Sequence, residues 1–384
     1  MRQGTRRALT IAAGLCVSGV ALFFFLQRLK GHWAEVTASF ERANYLCLVP
    51  GIGFLALLYW LRVARWKLFL KPIRPVRGLS VASATCIGFM ANCVLPARVG
   101  ELIRPYVLHR KEGVPFGQAL ATAAGLERVF DLIGLAALML LTWALLSARL
   151  SDAPAGASAG AAVRLRARDE RRIASGPASG SQQMGGPRAT PDSVRRIWRG
   201  GIVFVAIAGA GACLLLAIAL FPRAFRTGAE ACVRILPRRW RGAGQEFLHS
   251  IAEAMGFLKS SKGVGLAGLY SVGLWVAQGL STYALAVGLG LDIGVSGSFL
   301  AVIAIAVAVA LPQGPAFIGP FQWAAAVAAE SFQTGRGEAG AFALLMWAVN
   351  VLPITLVGLG FLWYEGLSLK SLMGASRRMR SRDS

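Results

Sequence analysis

Apolar positions along this chain come in unbroken blocks, not in the spaced stripe of a soluble amphipathic helix. Residues 8–26, 43–61, 201–221, 264–291 and 339–364 contain no Asp, Glu, Lys or Arg. Each is close to the ~20 residues with which a helix crosses ~30 Å of hydrocarbon. A further apolar run, 114–148, is long enough to span but carries charges inside it. Two shorter uncharged runs, 78–97 and the one from 297, stop at Leu95-Pro96 and Leu311-Pro312. The pattern predicts an all-α polytopic membrane protein with about six spanning helices and two broken hydrophobic segments. Residues 8–26 follow Arg2, Arg6 and Arg7 as a signal peptide would. The run ends in Phe23-Phe24-Phe25-Leu26-Gln27-Arg28 without a small-residue cleavage site, so an uncleaved first helix is expected.

Residues 149–199 break the pattern. They are rich in Ala, Gly, Ser, Pro and Arg with few large apolar side chains, so a disordered basic loop is expected there. The loop separates a first half, 1–148, from a second, 200–364, with a basic tail over 365–384. The first half reads as helices 8–26 and 43–61, a hairpin over 78–112 and a helix over 114–148. The second reads as helices 201–221 and 264–291, a hairpin over 297–333 and a helix over 341–364. Non-helical backbone at membrane depth is tolerated only inside protein or beside a watery cavity. Broken segments at matching places in two halves also point to a binding site. Both are therefore read as re-entrant helical hairpins, with Pro96 and Gly100 turning the first and Pro312, Gly314, Pro315, Gly319 and Gln322 around the turn of the second.

Charge then orients the halves. Arg62, Arg65, Lys67, Lys71, Arg74 and Arg77 mark 62–77 as cytoplasmic, and 222–263 carries eight Lys or Arg against three Glu. With the basic tail also inside, the first hairpin enters from the cytoplasm and the second from outside, so the halves have inverted topology. This leaves 149–199 outside despite ten Arg against four acids, which a long loop permits. The net charge of +23 crowds the ends of apolar blocks, as anionic headgroups require, and no aromatic-basic or zinc-knuckle spacing suggests nucleic acid. Trp33, Trp60, Trp66, Trp198, Trp240 and Trp363 fall near segment ends as an interfacial belt would, and 245–258 reads as an amphipathic surface helix. Six cysteines form no CxxC pair or Cys/His cluster and read as apolar packing residues. No metal site, cofactor or Walker loop is indicated.

Three stretches carry candidate chemistry. In the first, Asn92 precedes Leu95-Pro96, and Arg98, Glu101 and Arg104 recur every three residues on one face of a returning helix. Glu101 can pair with either arginine, leaving a guanidinium whose planar fork suits a phosphate. The stretch is an anionic headgroup site or a loop that meets lipid phosphates nonspecifically. The second, Glu127, Arg128 and Asp131, lies inside an apolar run. A lone charge there costs roughly 2.5–3.5 kcal/mol, relieved in part by local pairing of Asp131 with residues three and four positions away. It is a functional group or a structural lock, and an ion pair from Glu127 or Asp131 to Arg98 or Arg104 is also open. The third, Leu311 to Gln322, exposes backbone groups and a helix N-terminus near 319 that favours anions, or is only a bend.

The order Arg62-x-x-Arg65-Trp66, Asn92-x-x-Leu95-Pro96-x-Arg98-x-Gly100-Glu101-x-x-Arg104 and Glu127-Arg128-x-x-Asp131 resembles the lysylphosphatidylglycerol synthase transmembrane region family, also called flippase-like domain proteins. The resemblance covers nearly the whole chain except 149–199. It implies lipid translocation in the bacterial inner membrane, and no synthase activity, because the soluble aminoacyl-transferring domain is absent. It also implies a Pro-Gly-Gly-x-Gly and a Glu in the second broken segment, where this chain has Pro315 to Pro320 and Gln322. The expected arrangement is a polar cavity between the hairpins. Arg98 and Arg104 hold phosphate there, Glu101, Glu127 and Asp131 balance charge or carry protons, and Arg128 is their counter-ion. The expected partners are membrane lipids, with a homo-oligomer or a lipid-modifying enzyme besides. The rival readings are an intramembrane enzyme or accessory subunit acting on lipid-linked sugars, and a membrane scaffold.

Overall fold

The uncharged blocks fold as helices because hydrocarbon offers no partner for backbone N–H and C=O, and an α-helix satisfies them internally. A computed structural model describes residues 3–95, 98–151, 257, 260–310, 314–332 and 334–368. The elements are α1 (Gln3–Leu29), α2 (Trp33–Glu41), α3 (Leu48–Leu70), α4 (Gly78–Val94), α5 (Gly100–Glu112), α6 (Phe116–Leu120) and α7 (Glu127–Ser151). They continue with α8 (Ser261–Gly288), α9 (Gly294–Ala310), α10 (Pro320–Glu330) and α11 (Arg336–Tyr364). Among the described residues, five helices or helix runs are long and apolar enough to cross a membrane: Ala12–Leu29, Tyr45–Leu70, Phe116–Ser147, Ser261–Gly288 and Arg336–Tyr364. The protein is an all-α polytopic membrane protein. The turn prolines Pro96 and Pro312, the helix expected over 201–221, the amphipathic stretch 245–258 apart from Phe257, the loop from 152 and the tail from 369 lie outside the described residues.

Several boundaries move. The helix expected to stop at 61 continues to Leu70 because Arg65 and Trp66 are fully buried, so these residues belong to a packed helix and not to a basic loop. The 27–42 connection holds α2. The helix expected over 114–148 contains a π-helical turn, Ala121–Leu126. The last helix begins at Arg336, where the Glu338 side chain accepts from the Gly335 N–H at 3.3 Å. Polarity is inside out: Ser271, Ser281 and Thr282 of α8 are fully buried, whereas Leu269 and, on α11, Leu356 face outward toward lipid.

The two halves can be matched element by element: α3 with α8, the α4–α5 hairpin with α9–α10, and α7 with α11. The equivalent helices α3 and α8 pack side by side and antiparallel. Cys47 lies near Gly288, the Ser281 hydroxyl donates to the Gly51 carbonyl at 2.7 Å, and Arg65 donates to Ser271 at 2.7 Å. One half therefore runs inverted relative to the other. Each hairpin's first helix packs on the closing helix of the other half, α4 on α11 and α9 on α7.

The first helix of each hairpin, α4 and α9, is short of a full span. The Gly314 N–H donates to the Ser18 hydroxyl at 2.7 Å, eleven residues from the end of α1, or about 16 Å along it. The base of this hairpin is fastened at that end of α1 by the Arg28–Glu330 ion pair. The first hairpin enters from the opposite face. Its base is tied to the far end of α11, where Glu365 accepts from Ser83 at 2.8 Å and pairs with Lys111. Toward its tip, Cys86 and Cys93 share an apolar cluster with Val351 and Ile354 of α11. The tips then meet, where Arg98 donates to the Val309 carbonyl, and α11 holds the second tip through the Trp347 indole, which donates to Ala316 at 2.8 Å.

Candidate functional site

Five elements bring the charged residues together. Helix α3 supplies Arg62 and Arg65 from positions three apart, hence on one face. Helix α5 supplies Glu101 and Arg104, and α7 supplies Glu127, Arg128 and Asp131 from its first two turns. Asn92 comes from α4, and Arg98 from the turn between α4 and α5, where its φ is 51°. The π turn before α7 is held by the fully buried Trp66, whose indole donates to Thr122 at 3.1 Å. Such turns shift the register of the helix beyond them and are common at functional sites. Here the shift sets the direction in which the three charged residues of α7 point.

The charges pair across the fold, not along α7. Arg104 grips Glu127 with both terminal nitrogens, the longer bond being 3.0 Å, and its guanidinium lies 3.8 Å from the centre of the Trp66 ring. Asp131 accepts from Arg65 at 2.6 Å and lies 3.6 Å from Arg62, which stacks over Phe89 at 4.9 Å. Glu101 pairs with Arg128 and lies 3.8 Å from Arg98. The expected local pairing of Asp131 with Glu127 or Arg128 is thus corrected: Glu127 carries the same charge as Asp131 and repels it, and Arg128 turns to Glu101. At membrane depth an ionised group gains more from a partner on a facing helix, which also excludes lipid, than from a neighbour on its own exposed stripe. Between these groups lies a cavity of about 30 Å³ bounded by Arg62, Asn92, Glu101, Arg104, Glu127, Arg128 and Asp131. That is room for roughly two water molecules. Arg65 and Glu127 are buried, while Arg128 is half exposed and marks the mouth.

Asn92, Glu101, Arg104, Glu127, Arg128 and Asp131 all line this cavity, and Arg98 sits beside it. Gly100 lines it as well, because a Cβ there would overlap the Gly88 carbonyl and the Asn92 side chain, so only glycine lets α5 lie this close to α4. The expected placement between the two hairpins is corrected. The cavity is enclosed by the first hairpin, α3 and α7. The second hairpin reaches only Arg98, and among the described residues Gly314, Pro315, Gly319 and Gln322 do not line it. The α10 N-terminus is no open anion site either: the Gln322 side chain accepts from the Gly319 N–H at 2.8 Å, and Gly319 packs on the backbone of Ser18. Trp66 is likewise corrected from interfacial belt to buried wall. Arg62 and Arg65 are the site residues that the charge pattern missed. Their spacing was visible, but they were counted with the basic stretch that runs on to Arg77. Among the described residues no cluster of three metal-ligating side chains occurs.

A match to the family described as the lysylphosphatidylglycerol synthase TM region covers residues 11–165 and 185–358. The chain is also 28% identical to the glycosyltransferase AglD of Haloferax volcanii, in an alignment that takes in all of this chain and 59% of the relative. It therefore spans about three-fifths of the length of that curated protein. No solved structure matches the chain.

Proposed function

The chain belongs to the lysylphosphatidylglycerol synthase transmembrane region family, and on that premise we propose that it is a flippase-like lipid transporter without an ATPase, moving a phospholipid or a lipid-linked intermediate across the bacterial inner membrane. The observation that carries the reading is the cavity beside the first hairpin, where three arginines and three carboxylates face one another at membrane depth. Ionised groups there are costly and mark substrate pathways. The headgroup exchanges its contacts for the ion pairs of Arg104, Arg128 and Arg62, while the acyl chains stay in lipid. A headgroup is larger than the present cavity, so loading requires α5 to move away from α7. Two half-membrane hairpins entering from opposite faces suit such a carrier, because displacing either one opens a path from only one side. Membrane lipids are its partners, and a homo-oligomer or a lipid-modifying enzyme fits the same role.

A second reading is favoured by one observation: the relative in Haloferax volcanii is named a glycosyltransferase. On it, the chain is an intramembrane enzyme or accessory subunit for lipid-linked sugars. Transport is the better-supported reading, because the cavity's carboxylates are each already bound to arginine and, among the described residues, its wall carries no Ser, Cys, His or Lys nucleophile. Purified protein in liposomes with a fluorescent phospholipid decides between them. Transport predicts leaflet exchange with an unchanged lipid mass, and its loss in Arg98→Ala and Arg128→Ala variants made at normal levels. A changed lipid mass supports the enzyme, and normal exchange in both variants removes the cavity from the mechanism.

A further inference from the structure

The charges around the cavity do not balance, and the imbalance describes the ligand. Five guanidiniums, Arg62, Arg65, Arg98, Arg104 and Arg128, surround three carboxylates, Glu101, Glu127 and Asp131, among the described residues. Their arrangement is a matched pair flanked by two triplets. Arg104 and Glu127 match one to one. Asp131 is shared by Arg65 and Arg62, and Glu101 by Arg128 and Arg98. Each triplet therefore holds one cation beyond its carboxylate. Arg62 Nε is buried without a hydrogen-bond partner, and so is Arg104 Nε in the pair between the triplets. An unmatched guanidinium among apolar helices is unfavourable and is kept where it serves a ligand, and two are kept here.

We infer that the cavity is built for a lipid whose headgroup ends in a phosphate carrying two negative charges, a phosphomonoester or pyrophosphate, and that it discriminates against diester, zwitterionic and cationic headgroups. This rests on the lipid-transport reading above. A terminal phosphate carries about −1.5 to −2 charges at neutral pH and offers three acceptor oxygens, whereas a phosphodiester carries one charge. Only the dianion neutralises both triplets. The donors are arginines, whose planar forks bind phosphate oxygens in pairs. Arg62 and Arg128, one from each triplet, both line the cavity, and each can be removed while its carboxylate keeps another arginine, Arg65 or Arg98. They report on ligand charge while Asp131 and Glu101 each keep a partner.

The test measures thermal stabilisation of the purified protein in detergent by a prenyl phosphate, a prenyl pyrophosphate, phosphatidylglycerol, phosphatidylcholine, lysylphosphatidylglycerol and inorganic phosphate. The two prenyl lipids are expected to bind at least roughly tenfold more tightly than phosphatidylglycerol, the worth of one lost charge-assisted contact. Arg62→Gln and Arg128→Gln should each erase most of that preference while the protein still melts cooperatively. Glu101→Gln, which adds a further unmatched cation, should tighten prenyl phosphate binding. Equal binding of phosphatidylglycerol, or a preference unchanged in both arginine variants, overturns the inference. Inorganic phosphate stabilising as well as the prenyl lipids overturns the lipid as its source. Leaflet exchange in liposomes separates this from the transport proposal. Phosphatidylglycerol moving as fast as prenyl phosphate defeats the inference alone, and tight binding of prenyl phosphate with no exchange of any lipid defeats transport alone.

Discussion

The Arg104 guanidinium is held by Glu127 at one edge and by the Trp66 ring on its face, and its stem packs on Gly88 of α4. Removing one member of such a pair strands a buried charge, at a cost of ~3–5 kcal/mol, whereas replacing both with apolar side chains of similar volume is often close to neutral. Arg104→Ala is therefore expected to lower the melting temperature in detergent by many degrees. Arg104→Met combined with Glu127→Met should regain most of the loss, yet leave lipid movement abolished. A double variant no more stable than the single one would show that Glu127 is not left stranded. The i, i+3 spacing of Arg98, Glu101 and Arg104 was legible in the sequence, and so was the cost of the charges in α7. Which acid meets which arginine was not, because each partner arrives on a different helix.

Among the elements, the first hairpin depends on how closely α5 approaches α4. A methyl group on Gly100 would collide with the Gly88 carbonyl, which as backbone cannot rotate away. Gly100→Ala is expected to cost ~1–3 kcal/mol through overpacking and to stop transport by displacing Glu101 and Arg104 together. Gly53→Ala on α3, with open space around the position, serves as the control and should be neutral or slightly stabilising. Melting temperature and leaflet exchange on both variants check this. At the second hairpin, Gly319 has φ +97° and lies against Ser18, so this turn too is sterically defined. Its missing acid is explained locally: Gln322 caps the helix through its side-chain oxygen, so an amide serves there as a carboxylate would. The broken segments were legible because Pro and Gly interrupt runs too short to span. The extension of α3 to Leu70 was not, because a charged helical turn buried against Asp131 looks in sequence like the start of a basic loop.

For the whole molecule, the antiparallel packing of α3 on α8 makes the halves inverted, and the ends of α1, α11 and the hairpins sort into two faces. The face bearing α2 is expected outside and the face bearing Lys71 and Glu365 inside, from the basic residues around the latter. In a cysteine-free background, Thr37→Cys should react with a membrane-impermeant maleimide in intact cells, and Lys71→Cys only after the membrane is opened. The reverse pattern would turn the molecule over and put the cavity's nearer opening on the other side.

The sequence alone determined that the protein is helical and lies in a membrane, because uncharged blocks near twenty residues have no other stable arrangement. It also showed two apolar runs broken at Leu-Pro and charged residues inside an apolar run. Tertiary structure decided the rest. It drew Arg62 and Arg65 into the site, buried Trp66, moved the cavity from between the hairpins to the side of the first one, and left two guanidiniums unmatched around three carboxylates. The physical reason is range. Hydropathy acts on each segment by itself and is written along the chain. An ion pair acts over a few ångströms and depends on which helices pack together, as Arg65 on α3, Ser271 on α8 and Asp131 on α7 do here, from positions far apart in sequence.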